Sequence, residues 1–179
     1  MRVCTTTIPF TGMKIDTHLP LEALNERLRE GAESAQISFQ ASPIVDITLT
    51  RTLGGILVKG IVSGPCLQDC SSCAEPVPHE VTASIDWILQ TPADRAGPED
   101  ELDDPGVIVY EGDHVELEEH LQEALILSLS PFWHPPRDSQ DRCTHCKRDC
   151  SVKSWGSSSE TPTSPFGTLL KGALSGGKK

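Results

Sequence analysis

The stretch Ile44-Val45-Asp46-Ile47-Thr48-Leu49-Thr50, then Gly54-Gly55, then Ile56-Leu57-Val58-Lys59-Gly60-Ile61-Val62, decides the fold. Apolar Val45, Ile47 and Leu49 alternate with polar Asp46, Thr48 and Thr50, the period-two pattern of a strand with one buried face. A Gly-Gly pair between two β-like runs predicts a two-residue hairpin turn. After Pro76 the alternation returns over Val77, His79, Val81, Ala83, Ile85, Trp87 and Leu89. Three consecutive strands of this kind make an antiparallel meander. The segment Pro65-Cys66-Leu67-Gln68-Asp69-Cys70-Ser71-Ser72-Cys73 then places cysteines at one of its turns.

Working outward, residues 1–16 have a mixed pattern with a short strand expected around Thr5–Ile8. Pro20 opens a helix at its first position, Leu21, Leu24 and Leu28 share a face, and Gly31 is suited to cap its end, so a helix is predicted over 20–30. Beyond the meander, residues 92–106 are acidic and rich in Pro and Gly, which reads as a surface loop, with a solvated spacer and a binding site both open. A short strand is expected at Val107–Tyr110. Asp113 followed by Glu116 has the spacing of a capping box, and Leu117, Leu121, Ala124, Leu125 and Leu129 form an apolar stripe, so a second helix is predicted over 115–129. Residues 151–163 are rich in Ser and Thr. Ser164-Pro165 can start a last short helix carrying Phe166, Leu169, Leu170 and Leu174. The expectation is an α+β protein: an antiparallel β-sheet meander packed against one or two helices, with a cysteine-bearing turn and a flexible C-terminal tail. The domain boundaries are 1–150 for a single domain holding both cysteine clusters, and 151–179 for the tail with its docking helix.

Composition narrows the function. In 179 residues, Gly and Pro together number 28 and hydrophobic residues make up 37%, which suits a loop-rich globular chain rather than a disordered one. No run approaches the ~18 apolar residues of a membrane span. The start of the chain has no apolar stretch like that of a signal peptide, so a cytoplasmic, reducing setting is expected. The net charge of −11 is uneven: residues 1–136 hold 7 Lys+Arg and 22 Asp+Glu, whereas residues 137–179 hold 8 Lys+Arg and 4 Asp+Glu. An acidic body repels nucleic acid and disfavours a free-standing DNA binder, while the basic end can meet phosphate.

Seven cysteines carry the clearest chemistry. Cys70-Ser71-Ser72-Cys73 and Cys143-Thr144-His145-Cys146 are two C-x-x-C pairs, a spacing at which both thiolates reach one tetrahedral ion at ~2.3 Å. Together Cys70, Cys73, Cys143 and Cys146 can complete a structural Zn2+ site, although the 69 residues between the pairs exceed a simple zinc ribbon. Cys66 and Cys150 lie close enough in sequence to replace a ligand. Buried packing thiols and a redox pair stay open as alternatives. A thioredoxin-like reading of Cys143 and Cys146 lacks βαβ context, and neither pair is followed by His, which excludes covalent haem attachment. No role is assigned to Cys4. There is no Walker loop, no G-x-G-x-x-G, no G-x-S-x-G and no H-E-x-x-H. His79 reads as structural, and His114 and His120 as surface residues. Eight aromatics leave no basic-aromatic stripe for stacking on single strands, and nothing supports catalysis.

Three segments in order resemble the YceD family of large ribosomal RNA subunit accumulation proteins. Cys70-Ser71-Ser72-Cys73-Ala74-Glu75-Pro76-Val77 is similar to the family's C-x-R-C-(L/G)-x-P before an alternating strand. Leu121 through Pro131, with Pro135 and Cys143 beyond, resembles its acidic helix and Pro-rich exit. Ser164-Pro165-Phe166-Gly167-Thr168-Leu169-Leu170-Lys171 is similar to its N-P-F-x-x-L-x-x-L segment. Ser72 stands where the family has Arg, and the last C-x-x-C-G of many members is missing after Cys146-Lys147-Arg148-Asp149-Cys150. The resemblance spans roughly residues 15–175. It implies a non-enzymatic cytoplasmic factor needed for 23S rRNA accumulation, with a large-subunit precursor or its rRNA as partner, and the charge asymmetry adds a basic ribosomal protein as a partner to be expected. The acidic residues Glu99, Asp100, Glu101, Asp103 and Asp104 are a candidate surface for such a protein. The rival readings are a zinc-ribbon-like acidic adaptor unrelated to ribosomes and, more weakly, a thiol oxidoreductase.

Overall fold

A computed structural model describes residues 1–31, 37–93 and 106–147. Two compact units divide the chain, Met1–Pro135 and Pro136–Lys179.

In the first unit, strands β1 (Arg2–Cys4), β2 (Met13–His18), β3 (Ile37–Phe39), β4 (Ile44–Thr52), β5 (Gly55–Asp69), β6 (Pro76–Gln90), β7 (Val107–Val109) and β8 (His114–Glu116) accompany helices α1 (Leu21–Gly31) and α2 (Glu118–Leu127). The expected meander is its centre. β4, β5 and β6 pair antiparallel, and β2 joins on the far side of β4, in the order β2-β4-β5-β6-β7. β7 lies parallel to β6. At 15 residues, β5 outruns β4, and its last part pairs β3 through Ile37↔Gln68 and Phe39↔Cys66. A separate two-stranded pair joins β1 to β8.

The alternation sorts as its chemistry requires. Val45, Ile47, Leu49, Val81, Ala83, Ile85 and Leu89 are buried, while Thr82, Ser84 and Asp86 face out. The hairpin differs by one residue from the expectation. Thr52 pairs Gly55, so the turn is Leu53-Gly54 and Gly55 already belongs to the strand. Gly60 has φ +155°, and a Cβ there would lie 2.1 Å from the Asp46 carbonyl oxygen. Only glycine lets β4 approach β5 at this register.

Leu24 and Leu28 of α1 and Leu121 and Leu125 of α2 are buried in the same core as the sheet. Asn25 binds α1 to β3 twice: its Nδ2 donates to the Phe39 carbonyl at 3.0 Å, and its Oδ1 accepts from the Phe39 N–H at 2.8 Å.

Two expectations near the ends are corrected. Thr5–Thr7 form a 3-10 turn, and the strand lies one step earlier at Arg2–Cys4. The capping box does not form. α2 starts at Glu118, because His114–Glu116 pair with β1, and Leu117 stands at the helix start with no side-chain cap. The proposed tail helix, most of the 92–106 loop and Cys150 lie outside the described residues.

In the second unit, Arg137 and Cys143 form an antiparallel bridge. Between them the Asp138 carboxylate accepts from the N–H groups of Gln140 (2.9 Å) and Arg142 (3.0 Å). These bonds, the Arg142 N–H foremost, hold Asp138 below the ordinary carboxylate range. This short loop fixes the residue that opens the second cysteine pair.

Candidate functional site

The first pair sits on the β5–β6 connection, as expected. The Cys70 N–H donates to the Glu75 carbonyl at 3.0 Å, closing the hairpin. The Cys70 carbonyl then accepts from the N–H groups of Cys73 (3.2 Å) and Ala74 (2.7 Å). Ala74 adopts φ +56°, a left-handed conformation that L-residues disfavour. Cys70 is buried and Cys73 half-buried.

The second pair is built the same way. The Lys147 N–H donates to the Cys143 carbonyl at 2.8 Å, and Lys147 has φ +61°. Cys143 is buried and Cys146 half-buried. Thr144 anchors this turn, its N–H and Oγ both donating to the Pro136 carbonyl. Each pair is thus a tight knuckle with the residue after the second cysteine bonded back to the first. The soft, pairwise thiol donors fit Zn2+.

Within the first unit, residues 130–133 are tied to the base of the first pair. The Trp133 carbonyl accepts from the Ser71 N–H at 2.9 Å and its Oγ at 2.8 Å. Gln68 Nε2 donates to the Ser130 carbonyl at 2.7 Å, and Gln68 Oε1 meets His79 Nε2 at 3.2 Å. The His79 ring stacks on Trp133 with centroids 4.0 Å apart and planes 17° from parallel. His79 is therefore structural, as read from its place on the strand. Burial holds its imidazole below the ordinary value. Among the described residues Asp69 Oδ1 is buried without a hydrogen-bond partner, which calls for a donor or cation.

Cys66, an alternative ligand by sequence, lies in the hydrophobic core. Its thiol faces the Leu67 carbonyl at 3.7 Å, and burial pushes it up to about 11.

Sequence reasoning missed two features. One is a groove between the helices, of about 350 Å³, lined by Ala23, Glu26, Arg27, Glu30, Glu119 and Gln122. Arg27 crosses it, donating to the Glu119 carbonyl at 3.0 Å and pairing with Glu123 at 3.8 Å. The other joins Cys4 to Asp113 and His114, residues 109 and 110 positions away, whose ligand-capable atoms all lie within 4.8 Å of one another. No local motif could have announced it.

Among the described residues no helix is long and apolar enough to cross a membrane. No solved structure matches the chain. Uncharacterized proteins of Mycobacterium bovis and Mycobacterium tuberculosis are 27% identical over 127 residues, which covers 70% of this chain and 59% of theirs. The chain thus spans 59% of the length of these relatives, less than two thirds. The family model described as "Large ribosomal RNA subunit accumulation protein YceD" matches residues 58–171, from mid-β5 through the second knuckle into the C-terminal segment. The chain therefore belongs to the YceD family.

Proposed function

We propose that this protein is a non-enzymatic factor in large ribosomal subunit biogenesis, required for 23S rRNA to accumulate. The match of residues 58–171 to the accumulation-protein family carries this reading. It acts by holding a basic segment of a ribosomal protein, with the basic C-terminal part of the chain turned to rRNA phosphate. The groove between α1 and α2 supports the protein-binding half. Glu26, Glu30, Glu119 and Glu123 stand around a single Arg27, and Arg27 is engaged with α2. These exposed carboxylates attract a cationic peptide and steer its approach.

Cys70, Cys73, Cys143 and Cys146 hold a structural Zn2+ in this reading. Its support is the shared construction of the two knuckles and the brief stretch of chain from Trp133 to Cys143.

The experiment is depletion of the protein in its source cells, followed by the 23S-to-16S rRNA ratio. Complementation would use wild type, Cys70→Ser/Cys73→Ser, and Glu26→Gln/Glu30→Gln/Glu119→Gln/Glu123→Gln. A selective fall in 23S, restored by wild type but not by the groove variant, supports both the role and the surface. An unchanged ratio on depletion removes the ribosomal reading and leaves an acidic adaptor, whose partners would survive RNase treatment.

A further inference from the structure

We propose that Cys4, Asp113 and His114 form a second metal site, fitted to Zn2+ and separate from the two cysteine knuckles. The argument begins with register. In the β1–β8 pair Cys4 lies directly opposite His114, so thiol and imidazole rise from facing positions of one ladder. Asp113 precedes His114, and its backbone is held from β1's side: the Thr5 N–H and Oγ both donate to the Asp113 carbonyl, at 2.8 and 3.1 Å. Three donors of different chemistry, a sulfur, a ring nitrogen and a carboxylate oxygen, converge within 4.8 Å of one another. That set matches a borderline-soft divalent ion, not Ca2+ or Mg2+, which take oxygen shells.

Cys4 and His114 are partly exposed and Asp113 is exposed. Three protein ligands open to solvent leave the fourth tetrahedral position to water or to a partner's side chain. Asp113 Oδ1 and His114 Nδ1 stand 2.5 Å apart, so the two donors already face one another. The site also clasps the first strand to the segment entering α2, across most of the described chain, so an ion that binds only the folded state stabilises it.

The test uses the full chain, with Zn2+ alone as probe. Each cysteine's rate of alkylation is followed by mass spectrometry with and without the ion. Zn2+ is expected to slow modification of Cys4 at least several-fold in wild type and in Cys70→Ser/Cys73→Ser. The protection should vanish in His114→Gln, with far-ultraviolet circular dichroism showing that this variant is folded. Bound zinc per chain after dialysis should drop by one equivalent in Cys4→Ser and in His114→Gln, and independently in the Cys70/Cys73 variant. Equal Cys4 alkylation with and without Zn2+ overturns the proposal, as does unchanged zinc content in folded His114→Gln. Neither result bears on the ribosomal reading, which the rRNA ratio tests.

Discussion

The Lys147 N–H donates to the Cys143 carbonyl at 2.8 Å with Lys147 at φ +61°, and Ala74 repeats this toward Cys70 at 2.7 Å with φ +56°. Two C-x-x-C turns far apart in sequence have been folded to one plan. The plan needs a left-handed residue just after the second cysteine, where the sequence offers alanine and lysine rather than glycine.

That mismatch gives a first prediction. A left-handed L-residue costs roughly 1–2 kcal/mol, and glycine returns about 0.4–1 kcal/mol of that through the freer unfolded chain. Ala74→Gly should therefore raise stability by about 0.5–1 kcal/mol, and Ala74→Val should lower it. Urea unfolding of both against wild type decides; a Gly variant less stable than wild type would contradict the strain.

Asn25 supplies the second. Its side chain satisfies both the N–H and the carbonyl of Phe39, on the open side of β3. Asn25→Ala leaves these groups without their partner and should cost about 2 kcal/mol. Exchange of the Phe39 amide hydrogen should quicken more than that of amides in β4.

His79 makes stability depend on pH. Its folded imidazole is held below the ordinary value by burial, so between the two values the unfolded chain binds more protons. The contribution is present above the unfolded pKa of about 6.5 and is lost as pH falls through the depressed folded value. His79→Phe keeps an aromatic ring against Trp133 but cannot titrate. The wild-type urea midpoint should fall more than the variant's between about pH 7.5 and pH 5.5. Parallel declines would exclude His79 as a source.

The thiols should separate by reactivity in metal-free protein. A hydrogen bond with Thr6 Oγ1 at 3.1 Å holds Cys4 below the usual thiol value, while burial raises Cys66 to about 11. Near neutral pH Cys4 should be alkylated rapidly and Cys66 only on unfolding. Thr6→Val should slow Cys4 by removing the donor to its thiolate.

The sequence by itself determined what repeats along the chain. Val45, Ile47 and Leu49 against Asp46 and Thr48 declare a one-sided strand, and Leu24 with Leu28 declares a helix face, because burial acts with the period of the local geometry. The two C-x-x-C pairs and the β5–β6 turn that carries the first were legible from residue type and spacing. The tertiary structure alone decided what depends on distant partners. Thr5–Thr7 could not be told from a strand until β1 was seen paired with β8. The capping box of Asp113 and Glu116 was lost because Glu116 pairs with Arg2 across a ladder and the Asp113 carbonyl is taken by Thr5. The Cys4–Asp113–His114 cluster and the carboxylate groove likewise join segments whose proximity no periodicity encodes. Only the tertiary fold brings them together, through the β1–β8 pairing and the approach of α1 to α2.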